Sequence, residues 1–414
     1  MRCIVAIDDT DSSLGACTTY LGYRVAVDLS PRVRVLPYPR LVRLNPNIPF
    51  KTRGNAAVCL EVEVEEPDEA FELLASKVTE LSDVEGGANS GMVFLEDTRE
   101  AIDFAPLYRR ALTGVVNPGS VRRFLRENGV RTFELGNGMG VVGAAASVGF
   151  TAAMDHTFEL IAYRRPGNWG TRRSVEPASV VEMDRMTFPR TYNNFDYQKS
   201  KVLVSPHGPD PVFAGVRGDS PATVLAAFGM LRYEEALAGH MVYMSNQHTD
   251  AHLQDDLTWK GYSSGWVEGK VTSVRVGAGG HVYFELDTGM GKQKVAAYEP
   301  TGDLRRTAKL LSDGDVVRAY GGVRRASKVN PAILNLEKLD VISVRRGSPL
   351  MRGTYISSPR ANRHLTRPFS RYGVVDTSRP GTVDGWLSAG PIPQKVPAGS
   401  QPRGPRGLLS QSTP

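Results

Sequence analysis

At 414 residues the chain exceeds a single hydrophobic core and divides into about two to four units of ordinary domain size. Its 50 Lys and Arg against 44 Asp and Glu leave a formal charge of +6, too mild to attract an anionic polymer unless it gathers on one surface. The 3 cysteines form no CxxC pair and no apolar run approaches the ~18 residues of a membrane span, which argues against Cys-ligated zinc and a spanning helix and leads us to expect a soluble, intracellular protein.

The apolar run Cys3 to Ile7 predicts a strand that opens into Asp8-Asp9-Thr10-Asp11. Hard carboxylate oxygens at a strand end suit a divalent cation and the polyphosphate it presents. Asp8 and Asp11 are the first choices for Mg²⁺, with Asp9 pointing elsewhere; an Asx turn without chemistry is the alternative. Thr18 to Leu29 has helical spacing, and the Thr18 hydroxyl either caps that helix or faces a phosphate at its N-terminus. Val33 to Leu44 reads as a strand broken by Pro37 and Pro39. The segment Arg43 to Asn55 then gathers polar donors between prolines. Its Lys51 and Arg53 suit phosphoryl groups, unless the segment is only a rigid surface loop. Ala56 to Val64 alternates as a half-buried strand, and Asp68 to Leu81, Phe104 to Val116 and Ser120 to Asn128 follow as helices. Gly136, Gly138 and Gly140 lead into Val141 to Val148, a helix or buried turn, and serve either as a structural turn or as an anion cradle. This first α/β unit ends near residue 153.

From 154 to 258 a small split βαβ unit is expected, with strands at Thr157 to Tyr163, Lys201 to Val204 and His240 to Ser245 and a helix at Pro221 to Arg232. His248 and His252 bracket Asp250 without a distant third ligand. We therefore read Asn246, Asp250 and His252 as groups that bind a polar substrate or stabilise a domain junction. Short strands at Ser264 to Val276, His281 to Leu286, Lys292 to Ala297 and Val316 to Gly321, with a helix at Asp303 to Leu311 and a fifth strand at Val341 to Ser343, predict an OB-type β-barrel over 259–345. Tyr283, Phe284 and Tyr320 are candidates for base stacking, although Tyr283 and Phe284 face opposite ways. From 346 to 414 the only acids are Asp376 and Asp384 among recurring arginines. This basic C-terminal extension suits nucleic-acid phosphate; beyond Asp376 no fixed contacts are expected, with disorder after about Ala389.

Ile7 to Ser12, Cys17 to Leu21, Arg43 to Asn55, Gly138 to Ala144, Asp155 to Glu159, Asn246 to Leu253 and Ser358 to Thr366 together resemble, in order, the archaeal 2-agmatinylcytidine synthetases that act on the AUA-decoding isoleucine tRNA. The resemblance implies an α+β multidomain fold: a kinase-like α/β domain, a ferredoxin-like domain and an OB domain. It implies a cytoplasmic ATP-dependent ligase that phosphorylates the C2 carbonyl of the wobble cytidine in a CAU anticodon and then lets agmatine's amine displace the phosphate. No membrane or stable protein partner is implied.

Carried onto this sequence, the resemblance makes Asp8, Asp9, Asp11, Thr18, Lys51 and Arg53 the catalytic set, with Thr18 as a phosphorylatable threonine and Asp8 and Asp11 on Mg²⁺. Thr10, Ser12, Thr19, Asn55, Gly136, Gly138 and Gly140 would surround ATP. Glu159, Asp196 and Asp250 are the expected partners of the agmatine guanidinium, beside Asn246 and His252. Tyr283, Arg360, Asn362, Arg363, His364 and Arg367 would meet the tRNA, with Arg371 a further candidate. One departure stands out: family members carry a C-terminal zinc ribbon, yet no cysteine follows Cys59. The rival readings are a nucleic-acid binder with a degenerate enzyme domain and an RNA-independent small-molecule kinase or ligase.

Overall fold

The computed structural model describes residues 1–52, 54–96, 103–197, 199–328, 330–358, 364–367 and 386–389. In the first unit the chain runs β1 (Arg2–Asp8), α1 (Thr18–Asp28), β2 (Val33–Val35), β3 (Arg40–Arg43), β4 (Ala56–Val64), α2 (Pro67–Leu81), β5 (Gly91–Leu95), α3 (Ala105–Thr113), α4 (Pro118–Glu127), β6 (Arg131–Glu134) and α5 (Val141–Val148). β1 is central, antiparallel to both β4 and β5 (Ile7 opposite Val58, Asp8 opposite Gly91). Alternation along β1 sends Val5 and Ile7 to a core shared with Leu21, Val25, Leu74 and Val78 of α1 and α2. Ala6 faces the other way, toward Leu107, Val121 and Val141 of α3, α4 and α5. The sheet is thus covered on both faces, and the strand end at Asp8 emerges between the layers.

The second unit contributes β7 (Thr157–Arg164), α6 (Pro177–Thr187), β8 (Thr191–Tyr192), β9 (Phe195–Asp196), β10 (Lys201–Val202), β11 (Val212–Gly218), α7 (Pro221–Gly229) and β12 (Leu237–Ser245). β7 is flanked by β11 and β12, both antiparallel to it. β12 then pairs in parallel with β3, Met244 opposite Arg40 and Ser245 opposite Leu41. Among the described residues this joins the two units in one eleven-stranded sheet with the path β6-β5-β1-β4-β3-β12-β7-β11-β8. α1 lies across the seam: the hydroxyls of Tyr163 and Tyr243 both donate to the carbonyl of Thr19, at 2.9 and 2.7 Å.

The third unit is a barrel of β13 (Ser264–Val276), β14 (Val282–Thr288), β15 (Gly291–Ala297), β16 (Val316–Arg324) and β17 (Ile333–Ser343), with α8 (Asp303–Lys309) between β15 and β16. Parallel pairing of β15 with β17, Val295 opposite Leu334, closes it. The fifth strand is eleven residues long, not the three residues at its end that the pattern suggests. Glu337 and Lys338 hide the rest: both are buried, which breaks the apolar alternation that marks a strand.

β5, β6, β11 and α6 carry no sequence expectation. β5 and β11 are short and mostly buried, so they lack a two-residue period. Past the barrel, β18 (Tyr355–Ser357) pairs with β17, and β19 (Leu387–Ser388) pairs with β12, His240 opposite Ser388. The chain near residue 387 is therefore docked, contrary to the expectation of a segment without fixed contacts beyond Asp376; it pairs with the stretch of β12 that β3 does not reach. Among the described residues no helix is long and apolar enough to cross a membrane.

Candidate active site

Two cavities meet at the first loop. The smaller, about 420 Å³, is lined by Asp8, Asp9 and Asp11, by Lys51, Thr52 and Asn55, and by the apolar Leu44, Ile48, Val115, Val116, Met139 and Val142. Asp9 thus shares the cavity with the other two carboxylates and does not point elsewhere. The loop is tightly pinned: the Asp9 amide donates to the Asp8 carboxylate at 2.8 Å, Ser90 Oγ to the Asp9 carbonyl at 3.1 Å, and the Asp83 amide to the Thr10 carbonyl at 3.1 Å. Asp9 sits in the left-handed region at φ 57°, which turns the chain sharply after Asp8. Burial, then the charge of Asp9, pushes the Asp8 carboxyl well above the usual carboxylate range. Burial and Asp11 raise Asp9 from 3.8 to about 6. Lys51 is lowered by burial, and its ammonium donates to the Pro46 carbonyl.

A raised carboxyl pKa in the folded state stabilises it while protonated and loses that contribution as pH climbs. Without ligand, the stability of the wild type relative to Asp9→Asn is therefore expected to fall as pH rises from 3.8 through about 6, then level off. Urea midpoints across that range test this, and a flat difference refutes it.

The larger cavity, about 790 Å³, opens between the units and is lined by Asp11, Thr18, Thr19, Arg43, Glu159, Asp196, Arg217 and His364, among others. Asp11, Gly54 and Ala56 border both cavities. Thr18 belongs to the larger one: its Oγ lies 3.0 Å from the Thr10 hydroxyl, and both side chains are buried. Cys17, not Thr18, is the helix N-cap, without a side-chain capping bond. Glu159 is held between Arg217 (2.9 Å) and Arg43 (3.8 Å) and also accepts from Gln247. Those arginines, after burial, contribute to keeping the His364 imidazole well below its usual pKa, and burial drives His248 down to about 3.

The expected residues divide accordingly. Asp8, Asp9, Asp11, Lys51, Asn55 and Gly140 gather at the smaller cavity; Thr18, Thr19, Glu159, Asp196 and His364 gather at the larger one, with Asp11 common to both. Thr10, Ser12, Gly136 and Gly138 line neither. Ser12 instead donates to Asp83 and accepts the Leu14 amide at 2.9 Å. Gly136 and Gly138 turn the chain at φ 61° and 65°, so the turn reading of that motif holds for them. Asn246 is a brace, accepting the Arg43 amide at 2.7 Å and donating to the Arg43 carbonyl at 2.8 Å and the Tyr108 hydroxyl at 2.9 Å. Tyr283 lies on the barrel surface under Arg275, whose guanidinium carbon is 4.5 Å from the ring centre. Phe284 is in the core. Arg53, Arg360, Asn362, Arg363 and Arg371 lie outside the described residues.

Three polar residues expected at substrate instead lock the second unit to the barrel. Asp250 pairs with buried Lys338 and accepts the Arg367 amide at 2.6 Å. His252 lies 2.9 Å from Glu337, which also accepts from Thr366 at 2.6 Å. The Arg367 guanidinium reaches Asp155, so it is already engaged within the protein. Of the two readings of Asp250 and His252, the junction is the one the geometry supports. Asp250→Ala is expected to cost about 3 kcal/mol by stranding Lys338, and Lys338→Met in the same chain to return part of it. Thermal unfolding of the two variants checks this, and additive losses refute it.

Sequence reasoning missed Arg217 as a site residue because it lies on β11, which carried no strand expectation. A lone arginine inside the run Val212–Gly218 was the available signal. Among the described residues no group of three or more His, Cys, Asp or Glu side chains converges as a metal cage. The acidic loop lines one cavity with three carboxylates, of which Mg²⁺ takes one or two when phosphates and water supply the rest.

With this geometry in view, comparison with known proteins is informative. Residues 4–137 match the TiaS TCKD domain, 138–252 the TiaS FLD domain and 266–341 the OB-fold nucleic acid binding domain. The isoleucine-2 tRNA 2-agmatinylcytidine synthetase TiaS of Cenarchaeum symbiosum is 41% identical over 341 residues, covering 81% of this chain and 76% of the relative. That of Thermococcus sibiricus is 38% identical over 81% of this chain and 78% of its own. Among solved structures, the complex of TiaS with isoleucine-2 tRNA and ATP superposes with a TM-score of 0.83 at 32% identity, over 93% of this chain and 99% of the other. The complex of TiaS with the same tRNA, AMPCPP and agmatine gives 0.80 at 32% identity, over 90% and 98%. An α+β multidomain chain with an OB-fold barrel, aligned with these relatives over most of its length, belongs to the TiaS family of isoleucine-2 tRNA 2-agmatinylcytidine synthetases.

Proposed function

We propose that this chain is an ATP-dependent ligase that joins agmatine to C2 of the wobble cytidine in the CAU anticodon of the minor isoleucine tRNA. The observation that carries this reading is the contact of the two cavities at Asp11, Gly54 and Ala56. A nucleotide in the smaller one would present its phosphates to a base and an amine in the larger one without release to solvent. The first unit, to residue 153, then acts as a kinase-like domain. Residues 154–258 form a ferredoxin-like domain and 259–345 the barrel.

In this reading the apolar wall of Leu44, Ile48, Val115, Val116 and Met139 takes the adenine, Lys51 faces the phosphates and Arg53 serves the same phosphates. Asp8 and Asp11 fit Mg²⁺, because a cation offsets the repulsion and burial that hold the Asp8 carboxyl proton. Bound there, Mg²⁺ would neutralise charge on the transferring phosphoryl group. Thr18 stands at the acceptor side, beside the base. Asp196, on the wall of the larger cavity, takes the agmatine guanidinium; Glu159 is already committed to two arginines and Asp250 to Lys338. Tyr283 on the barrel and Arg360, Asn362 and Arg363 beyond it serve the tRNA. The work belongs in the cytoplasm, where tRNA, ATP and agmatine meet.

Incubation with ATP, agmatine and unmodified isoleucine tRNA, followed by mass analysis of the anticodon fragment, tests the function. A mass increase equal to agmatine less water supports it. Nucleotide turnover indifferent to RNA supports a small-molecule enzyme, and RNA binding without turnover supports a degenerate one.

A further inference from the structure

At the inner wall of the larger cavity Arg43 and Arg217 share one carboxylate, Glu159. The side chains are 13%, 16% and 3% exposed, so this is a buried triad with a surplus positive charge. Two glycines make room for it. A Cβ on Gly54 would lie 2.8 Å from Nη1 of Arg43, and one on Gly215 would lie 2.7 Å from Oε1 of Glu159. Gly54 borders both cavities, which places the Arg43 guanidinium at the wall between donor and acceptor sites. Among the described residues the Nε of each arginine is buried without a hydrogen-bond partner.

Such an arrangement is costly for a merely structural purpose. Two guanidiniums on one carboxylate leave donors and charge uncompensated, and an apolar cluster would hold the wall more cheaply. Arginine forks fit phosphate oxygens, and a preorganised pair on a cavity wall costs little to reorient when charge arrives. The Arg43 backbone is itself fixed from both sides by the Asn246 amide, at 2.7 and 2.8 Å, so its guanidinium is aimed and does not wander.

We infer that Arg43 and Arg217 receive the phosphoryl group on the acceptor side, holding it on the cytidine O2 and then accepting the released orthophosphate, with Glu159 positioning both guanidiniums. This inference rests on the ligase reading above. In the first step the O2 lone pair forms the new O–P bond while the P–O bond to the rest of the nucleotide breaks, its electron pair leaving with the nucleotide. In the second, the agmatine amine nitrogen bonds to C2, the C2–O bond breaks with its electrons going to orthophosphate, and the amine's proton passes to that departing phosphate. Both steps put a phosphate dianion against the same wall, so one pair of arginines serves them both.

Steady-state assays of agmatine incorporation in the presence of inorganic phosphate test the inference. Phosphate is expected to compete with tRNA and not with ATP in the wild type. Arg217→Lys and Arg43→Lys, which keep the charge but lose the fork, are each expected to lower kcat about tenfold and to weaken phosphate inhibition about fivefold, with KM for ATP within about twofold. Phosphate competing with ATP alone, or inhibition unchanged in both lysine variants, overturns the inference. A wild type that incorporates no agmatine overturns the ligase reading instead. The competition pattern needs only the wild type, so a variant that fails to fold does not remove the test.

Discussion

Asp8→Asn is expected to reduce agmatine incorporation by about 100-fold or more while raising the thermal midpoint of the ligand-free protein. The two effects have one cause. The Asp8 carboxylate sits at the end of β1, packed against Gly143 of α5 and crowded by Asp9 and Asp11, and burial and repulsion hold it well above the normal carboxylate range. An amide of the same shape still accepts the Asp9 N–H but carries no charge, so the empty loop relaxes. The same neutrality deprives a phosphate-bound cation of its ligand, and ATP turnover falls. Binding of tRNA, proposed above to rest on the barrel and its neighbours, is expected within about twofold of wild type by filter assay, a surface effect of small size. Equal loss of binding and turnover, or a lowered midpoint, would falsify the role given to Asp8.

A larger effect on folding is expected at Gly140. A Cβ there would lie 2.5 Å from the Asp8 carbonyl, 2.6 Å from the Gly91 amide and 2.9 Å from the Asn89 carbonyl. All three are backbone atoms, two of them at strand ends, so no side chain can swing aside, and the N-terminus of α5 must lift off the sheet. Gly140→Ala is expected to cost about 3 kcal/mol, or roughly 5–10 °C in melting midpoint. Gly289→Ala, where a Cβ meets nothing within 4 Å, serves as the control and is expected to change neither stability nor activity. If both substitutions are silent, α5 does not pack on Asp8 as described.

Much of this architecture is written in local patterns. β4 has the bounds of the alternation at Ala56 to Val64, with a wet face only at Glu61 and Glu63, and α1 and α2 agree with their helical spacing to within a residue or so at each end. What escapes is structure whose apolar residues face the core on both sides, such as β5, or whose charges are buried in pairs, such as the Glu337-Lys338 stretch of β17. The acidic loop and Lys51 were legible because their chemistry is local in sequence. Glu159, Asp250 and Arg367 were less legible for the opposite reason. Each is a charge whose partner lies 58, 88 or 212 residues away, and composition cannot distinguish a side chain awaiting a ligand from one already satisfied across a domain boundary. The arginine assigned here to the phosphoryl group, Arg217, needed the fold to bring β11 beside β7 before its meaning was visible.

The parallel ladder between β3 and β12 has a mechanical corollary. Because Arg40 and Leu41 pair with Met244 and Ser245, the first two units share one sheet, and the proposed nucleotide and base sites are expected to keep a fixed separation. The reach from phosphate to pyrimidine is thus set before either arrives. On the proposed reading, the compliance that delivery requires comes from the nucleic acid, whose anticodon loop unstacks its first base to reach the cavity.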